Sequence, residues 1–212
     1  MLFRGRRHSA GRGHFQIAVI AGQASSRAKP RLALWLVVFT GPALRTSLLG
    51  GLLVAEEAIG AAFDLNAGAL AILVECSVFG GLLAVLLLPS LIRVFGTWAI
   101  SLGSTVATIA LLAVGMYAAP AHSAGGTLES VALFSAATLL GFLVSVLSPV
   151  TQSLLNEATT DDAGRRHSLQ SVWSAGLPAG FIAASVVGGV LVEWAGWWTG
   201  LIVPLALAIL SA

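Results

Sequence analysis

Six apolar stretches, roughly 32–54, 67–88, 97–119, 131–155, 172–192 and 197–212, run through this chain of 212 residues, separated by short polar breaks. Most approach the ~20 apolar residues that carry a helix across a hydrocarbon core of about 30 Å. When the breaks are numbered alternately, ten of the eleven Lys and Arg residues are placed on one side. Arg4, Arg6, Arg7, Arg12, Arg27, Lys29 and Arg31 precede the first stretch, Arg93 lies in the second break, and Arg165 and Arg166 lie in the fourth. The alternate breaks, 55–66, 120–130 and 193–196, hold no Lys or Arg. Basic residues concentrate on the cytoplasmic side of multi-pass proteins, so this bias sets spans and orientation together. The pattern predicts an all-α membrane protein of six transmembrane helices in the cell (inner or plasma) membrane, with its N-terminus in the cytoplasm.

Composition excludes a soluble fold. Hydrophobic residues make up 57% of the chain and charged residues 9%, against about 25% charged in a soluble domain. The net charge of +2 does not describe a nucleic-acid surface, because residues 1–31 hold seven basic residues and no acidic one. That basic arm admits three readings. It is a leader peptide with a twin-arginine hint at Arg6-Arg7, a segment drawn to anionic lipid, or a disordered cytoplasmic extension that reinforces topology. Residues 32–212 are then the six-helix bundle. The sixth stretch is short and reaches the end of the chain at Ala212, so the expectation is a bundle truncated in its last helix. The lone Cys76 excludes a disulfide framework.

The stretches are too long for strands and lack the alternation of a barrel, so they read as helices. The breaks 89–96 and 193–196 are tight, whereas the links between helices 1–2, 3–4 and 4–5 are longer. Two triplets, each with a long first link and a tight second one, suggest an inverted 3+3 repeat, an arrangement that recurs in transporters. No residue-level repeat is obvious. Gly176 and Gly180 form a G-x-x-x-G on helix 5, with Ala184 and Gly188 on the same face. Small residues at that spacing let two helices approach closely, and a contact of this kind can also slide during gating.

Several local patterns together resemble the N-terminal half of a major facilitator superfamily transporter. The six-helix count, the cytoplasmic N-terminus, the tight 2–3 turn and the long 4–5 link fit that family. Its 2–3 turn carries G-x-x-x-D-R-x-G-R-R. Here Pro89-Ser90-Leu91-Ile92-Arg93-Val94-Phe95-Gly96-Thr97-Trp98 keeps Phe95-Gly96, but Arg93 stands at the Asp position and Val94 at the Arg position. The charge relay of that loop is therefore not implied. Pro149, Asn156-Glu157 and Arg165-Arg166 resemble the exit of helix 4 and its basic loop. The run Val172-Trp173-Ser174-Ala175-Gly176-Leu177-Pro178-Ala179-Gly180 is the best local match. Within the superfamily the chain is most similar to cyanate/nitroimidazole-type anion porters, which carry Arg then Thr-Ser in helix 1, here at Arg45-Thr46-Ser47. Their usual Asn-Leu-Arg-Pro is Ala43-Leu44-Arg45-Thr46 here. The resemblance covers residues 32–212. It implies alternating access by two six-helix halves, hence a missing C-terminal half or a second six-helix unit as partner.

Arg45 is the leading candidate for function, because a charge inside an apolar span is costly and is kept where it works. Counted from the stretch ends, Arg45 lies about 14 Å and Glu75 about 12 Å below the outer side, at nearly one depth. Three readings stay open: a substrate or proton role for either residue, a self-neutralising pair that pins helix 1 to helix 2, and a misplaced helix boundary. Ser148, Pro149 and Gln152 on helix 4 are candidates for a cavity wall. Trp173 is either a cavity wall or an interfacial anchor. Glu56, Glu57, Asp64 and Glu129 read as solvated acids. The mixed charges 157–167 read as local salt bridging. His8, His14, His122 and His167 all lie outside the spans, so no metal cluster is expected, and neither a nucleophile motif nor a phosphate loop is present. Neither catalytic residues nor a cofactor are expected. The expectation is a secondary active transporter, or its N-terminal half, moving a small solute, with an anion as the class Arg45 would attract. The alternative is a non-transporting membrane protein: a sensor, an assembly factor or an inactive fragment. A soluble output domain would favour a sensor, and polar residues on one face of helices 1, 4 and 5 would favour a transporter.

Overall fold

The computed structural model describes residues 31–118, 126–160 and 162–212. Residues 1–30 of the basic arm, His122 and Asp161 lie outside the described residues, whereas Arg31 opens the first helix. Trp35–Ala212 forms one compact unit. Among the described residues there are helices and turns but no strand. We label the helices α1 (Arg31–Phe63), α2 (Ala67–Phe95), α3 (Thr97–Ala118), α4 (Thr127–Ala158), α5 (Ala163–Ala195) and α6 (Trp197–Ser211). The first five are long and apolar enough to cross a membrane, whereas α6 is a shorter apolar helix that opens with a 3₁₀ turn.

The helices run further than the apolar stretches. The break at 55–66 is not a loop. α1 continues through Glu56 and Glu57 and stops at Phe63, leaving only residues 64–66 as a link. The turn is made by Asp64 at φ 52°, a short polar side chain that tolerates the left-handed region. Asn66 then caps α2 by accepting the Ala69 N–H at 2.9 Å. The basic link after helix 4 shrinks likewise. Asp162 caps α5 through the Arg165 N–H at 2.9 Å, so Arg165, Arg166 and His167 sit on its first turns. Polar residues at a helix end obey the hydrogen-bonding needs of the terminus, which outlast the apolar pattern. Apolarity therefore marks the part of a helix that fits the hydrocarbon, not the whole helix.

Two links consist of a single glycine. Gly96, at φ 80°, joins α2 to α3, and Gly196, at φ 99°, joins α5 to α6. Each donates its N–H to the carbonyl four residues back, Ile92 at 2.9 Å and Val192 at 3.0 Å. The left-handed region is costly for a residue with a Cβ, so both positions require glycine for conformation.

One cluster of the core is built from Leu44, Leu48, Leu52, Leu112, Leu140 and Leu147. A second, built from Ala84, Leu88, Ile100, Val146, Val150 and Leu154, lies between α2, α3 and α4. α2 turns Ile72, Val78, Phe79, Leu82 and Leu86 outward, exposed on the isolated bundle. In lipid such side chains meet no water, and close packing rather than apolar burial holds helices together. Small residues make that packing possible. A Cβ at Gly80 would overlap the Thr138 carbonyl of α4, and one at Gly141 would overlap the Ser77 carbonyl of α2. A Cβ at Gly180 would overlap the Ala43 carbonyl of α1, and one at Gly176 would press on Phe39 and Pro42.

Candidate functional site

Arg45 sits 14 residues from the start of α1 and 18 from its end, about 21 Å and 27 Å along the axis. Its side chain is exposed, although Leu44 beside it is fully buried. The reason is rotation by about 100° per residue. Phe39, Ala43 and Gly50 face α5, and Gly41 faces Thr151 of α4. Arg45 emerges between these two faces. Leu49, Leu53 and Glu56 follow it on the same stripe, spaced for one side of a helix. Among the described residues Arg45 has neither an ion pair nor a hydrogen bond.

The structure corrects the depth of Glu75. Gly60 of α1 lies against Leu70 of α2. Five residues on from Leu70 is Glu75, and five back from Gly60 is Ala55, so those two positions are level. Arg45 lies ten residues further along α1, about 15 Å from the Glu75 level. The two do not share a depth, and no ion pair joins them. The equal-depth reading failed because α1 extends nine residues past the stretch end used to count Arg45. Glu75 is instead level with Glu56, toward the end of the bundle where α1 turns into α2.

On α4, Ser148 is buried and Pro149 and Gln152 are half-buried. The Ser148 carbonyl accepts the Thr151 hydroxyl at 2.8 Å and the Trp173 indole N–H at 3.4 Å. Trp173 is therefore half-buried against α4, tying α5 to α4 beside Pro149. Gln152, like Arg45, makes no hydrogen bond to a described residue. Other hydroxyls cross between helices or close on their own backbone. Thr46 donates to the Leu177 carbonyl of α5 at 2.6 Å. Thr40 and Ser47 donate to Leu36 and Leu44 at 2.8 and 2.9 Å. Thr46 was not singled out from sequence as a contact. Its place beside Arg45, in a G-x-x-x-G-matched helix pair, was the available signal.

The packing candidates divide. Gly176 and Gly180 touch α1, as their spacing implied. A Cβ at Gly188 would meet Val54 of α1 and Gly200 of α6 only at ordinary contact distances, so close packing does not require a glycine there. Gly188 closes a π-helical turn, Ala184–Gly188, inside α5. Such widened turns recur at functional sites, and helical periodicity gives no warning of one. Arg93 is exposed in the last turn of α2, where a cation suits the helix dipole. The charges 157–167 form no ion pair among the described residues. Among those residues no group of three or more His, Cys, Asp and Glu could hold a metal ion.

No family model, curated protein or solved structure matches the chain.

Proposed function

We propose that this chain is the membrane body of a secondary transporter, a six-helix unit of the major-facilitator type with a cytoplasmic N-terminus. It would move a small solute by alternating access, with Arg45 supplying positive charge to an anion. The observation that carries this reading is Arg45 itself: mid-span, turned outward from its own bundle, and without a partner among the described residues. Lipid tails cannot solvate a guanidinium, so the residue needs a water-filled cavity or a second unit beside it. A planar fork of donors then suits a carboxylate or another small oxyanion.

The 3+3 repeat has support at the level of contacts. α2 approaches α4 through Gly80 as α5 approaches α1 through Gly180. Gly96 and Gly196 end the second helix of each triplet with the same positive-φ turn. Gly80 and Gly180, like Gly96 and Gly196, are 100 residues apart. Exchanging α1, α2, α3 with α4, α5, α6 maps each contact onto its counterpart, as inverted repeats require.

Cysteine accessibility tests the reading. Arg45→Cys and Leu86→Cys, each in a Cys76→Ser background and reconstituted in proteoliposomes, are challenged with a charged, membrane-impermeant thiol reagent. Position 45 should react and position 86 should stay protected. Protection at both positions would overturn the aqueous site. Uptake of small anions, cyanate among them, by a two-unit assembly should be partly kept in Arg45→Lys and lost in Arg45→Ala.

A further inference from the structure

Where α1, α3, α4 and α6 end together, a cavity of about 300 Å³ is lined by Phe63, Gly115, Glu129, Ala132, Ala136 and Trp197. Phe63 and Trp197 meet edge to face, with ring centroids 5.5 Å apart and planes at 65°. Glu129 is half-buried in the first turn of α4, and its Oε2 accepts the Gly126 N–H at 3.3 Å. Its other oxygen has no partner, and no cation pairs the carboxylate among the described residues. Two aromatic rings and a carboxylate at one apolar mouth attract an ammonium group.

Further along the same two helices lies another opening that shares no lining residue with the first. A second cavity of about 390 Å³ is lined by Ala107, Ala110, Leu111 and Val114 of α3 with Leu139 and Leu143 of α4. Val114 adjoins Gly115 of the first cavity, and a Cβ at Gly115 would meet nothing within 4 Å. From Ala118 to Ala107 is eleven residues, about 16 Å. Half of a hydrocarbon core is about 15 Å. The two cavities together therefore extend along α3 by about the depth of one leaflet, with the carboxylate and the two rings at the helix-end side.

We infer that this α3–α4 seam seats a phospholipid with an ammonium headgroup, the ammonium at Glu129 and Trp197 and one acyl chain along Ala107–Val114. The depth of the groove commits the site to a lipid of that leaflet rather than to a soluble cation. The site is separate from Arg45, and neither depends on the other.

Native mass spectrometry of the full chain, released from mixed micelles of dioleoyl phosphatidylethanolamine and dioleoyl phosphatidylglycerol, reads the preference at constant acyl chains. The ethanolamine lipid should be retained about tenfold over the glycerol lipid, the low end of what one hydrogen bond to a charged group is worth. Glu129→Gln should remove the preference and leave total retention. Ala110→Phe, which fills the groove, should lower retention of both lipids. A diazirine-acyl phosphatidylethanolamine needs no variant and should label peptides containing 107–114 and 139–143. Equal retention of the two lipids, a preference that survives Glu129→Gln, or labelling spread evenly over the outward face of α2 would each overturn the proposal. Displacement of the lipid by tetramethylammonium at equal concentration would also overturn it, in favour of a soluble cation.

Discussion

Gly180→Ala adds a single methyl group at the point where α5 meets α1. The new Cβ would overlap the Ala43 carbonyl, a backbone atom in the middle of a helix that no side-chain rotation can move. α1 and α5 must therefore separate. Overpacking of this kind typically costs about 1–3 kcal/mol. Separation also stretches the Thr46 hydroxyl bond to Leu177, now 2.6 Å, a bond worth about 0.6 kcal/mol in a membrane bundle. Against this, alanine gains about 0.8–1 kcal/mol over glycine in a helix interior. Gly103→Ala on α3 isolates that gain, because its Cβ would meet nothing within 4 Å. The difference between the two variants should be about 1.6–3.6 kcal/mol, the overpacking and hydrogen-bond losses taken without the shared propensity gain. Reversible unfolding by SDS in mixed micelles, followed by circular dichroism, measures both variants against the parent chain. Gly180→Ala should unfold at lower SDS and Gly103→Ala at equal or higher SDS. If the two unfold together, α1 and α5 are not in backbone contact, and the packing described above is wrong.

Arg45→Ala and Glu75→Ala should be additive in the same assay, with a coupling below about 0.5 kcal/mol, because their levels differ by about 15 Å. A coupling of a kilocalorie or more would restore the ion pair. Gly96→Ala and Gly196→Ala should each lose about 1–3 kcal/mol from the positive-φ extended backbone alone, although a Cβ at Gly96 has open space around it. Loss at Gly196 with none at Gly96 would show that crowding, not conformation, holds the glycine. Thr46→Val should cost about 0.6 kcal/mol, and Thr46→Ser should cost less because the hydroxyl that reaches Leu177 remains.

Much of this protein is legible in its sequence. Apolar length predicts helices that cross a bilayer, since only a helix satisfies its backbone without water. G-x-x-x-G spacing predicts that Gly176 and Gly180 face one neighbour, since residues four apart share a helix face. These are local properties, carried by each segment in itself. The helix ends, the partner of each face and the level of each charge are not local. α1 runs on to Phe63 because its turn at Asp64 and the Asn66 cap set the boundary, not the polarity of Glu56 and Glu57. That extension separates Glu75 from Arg45, and no count along one stretch could show it. α1 is the neighbour of Gly180 because only there does a second backbone, at Ala43, come close enough to need a missing side chain. Sequence alone determines which segments are long and apolar enough to cross a membrane, because transfer into hydrocarbon is summed residue by residue. Tertiary structure decides which groups meet, because packing depends on pairs of surfaces whose partners lie far apart along the chain.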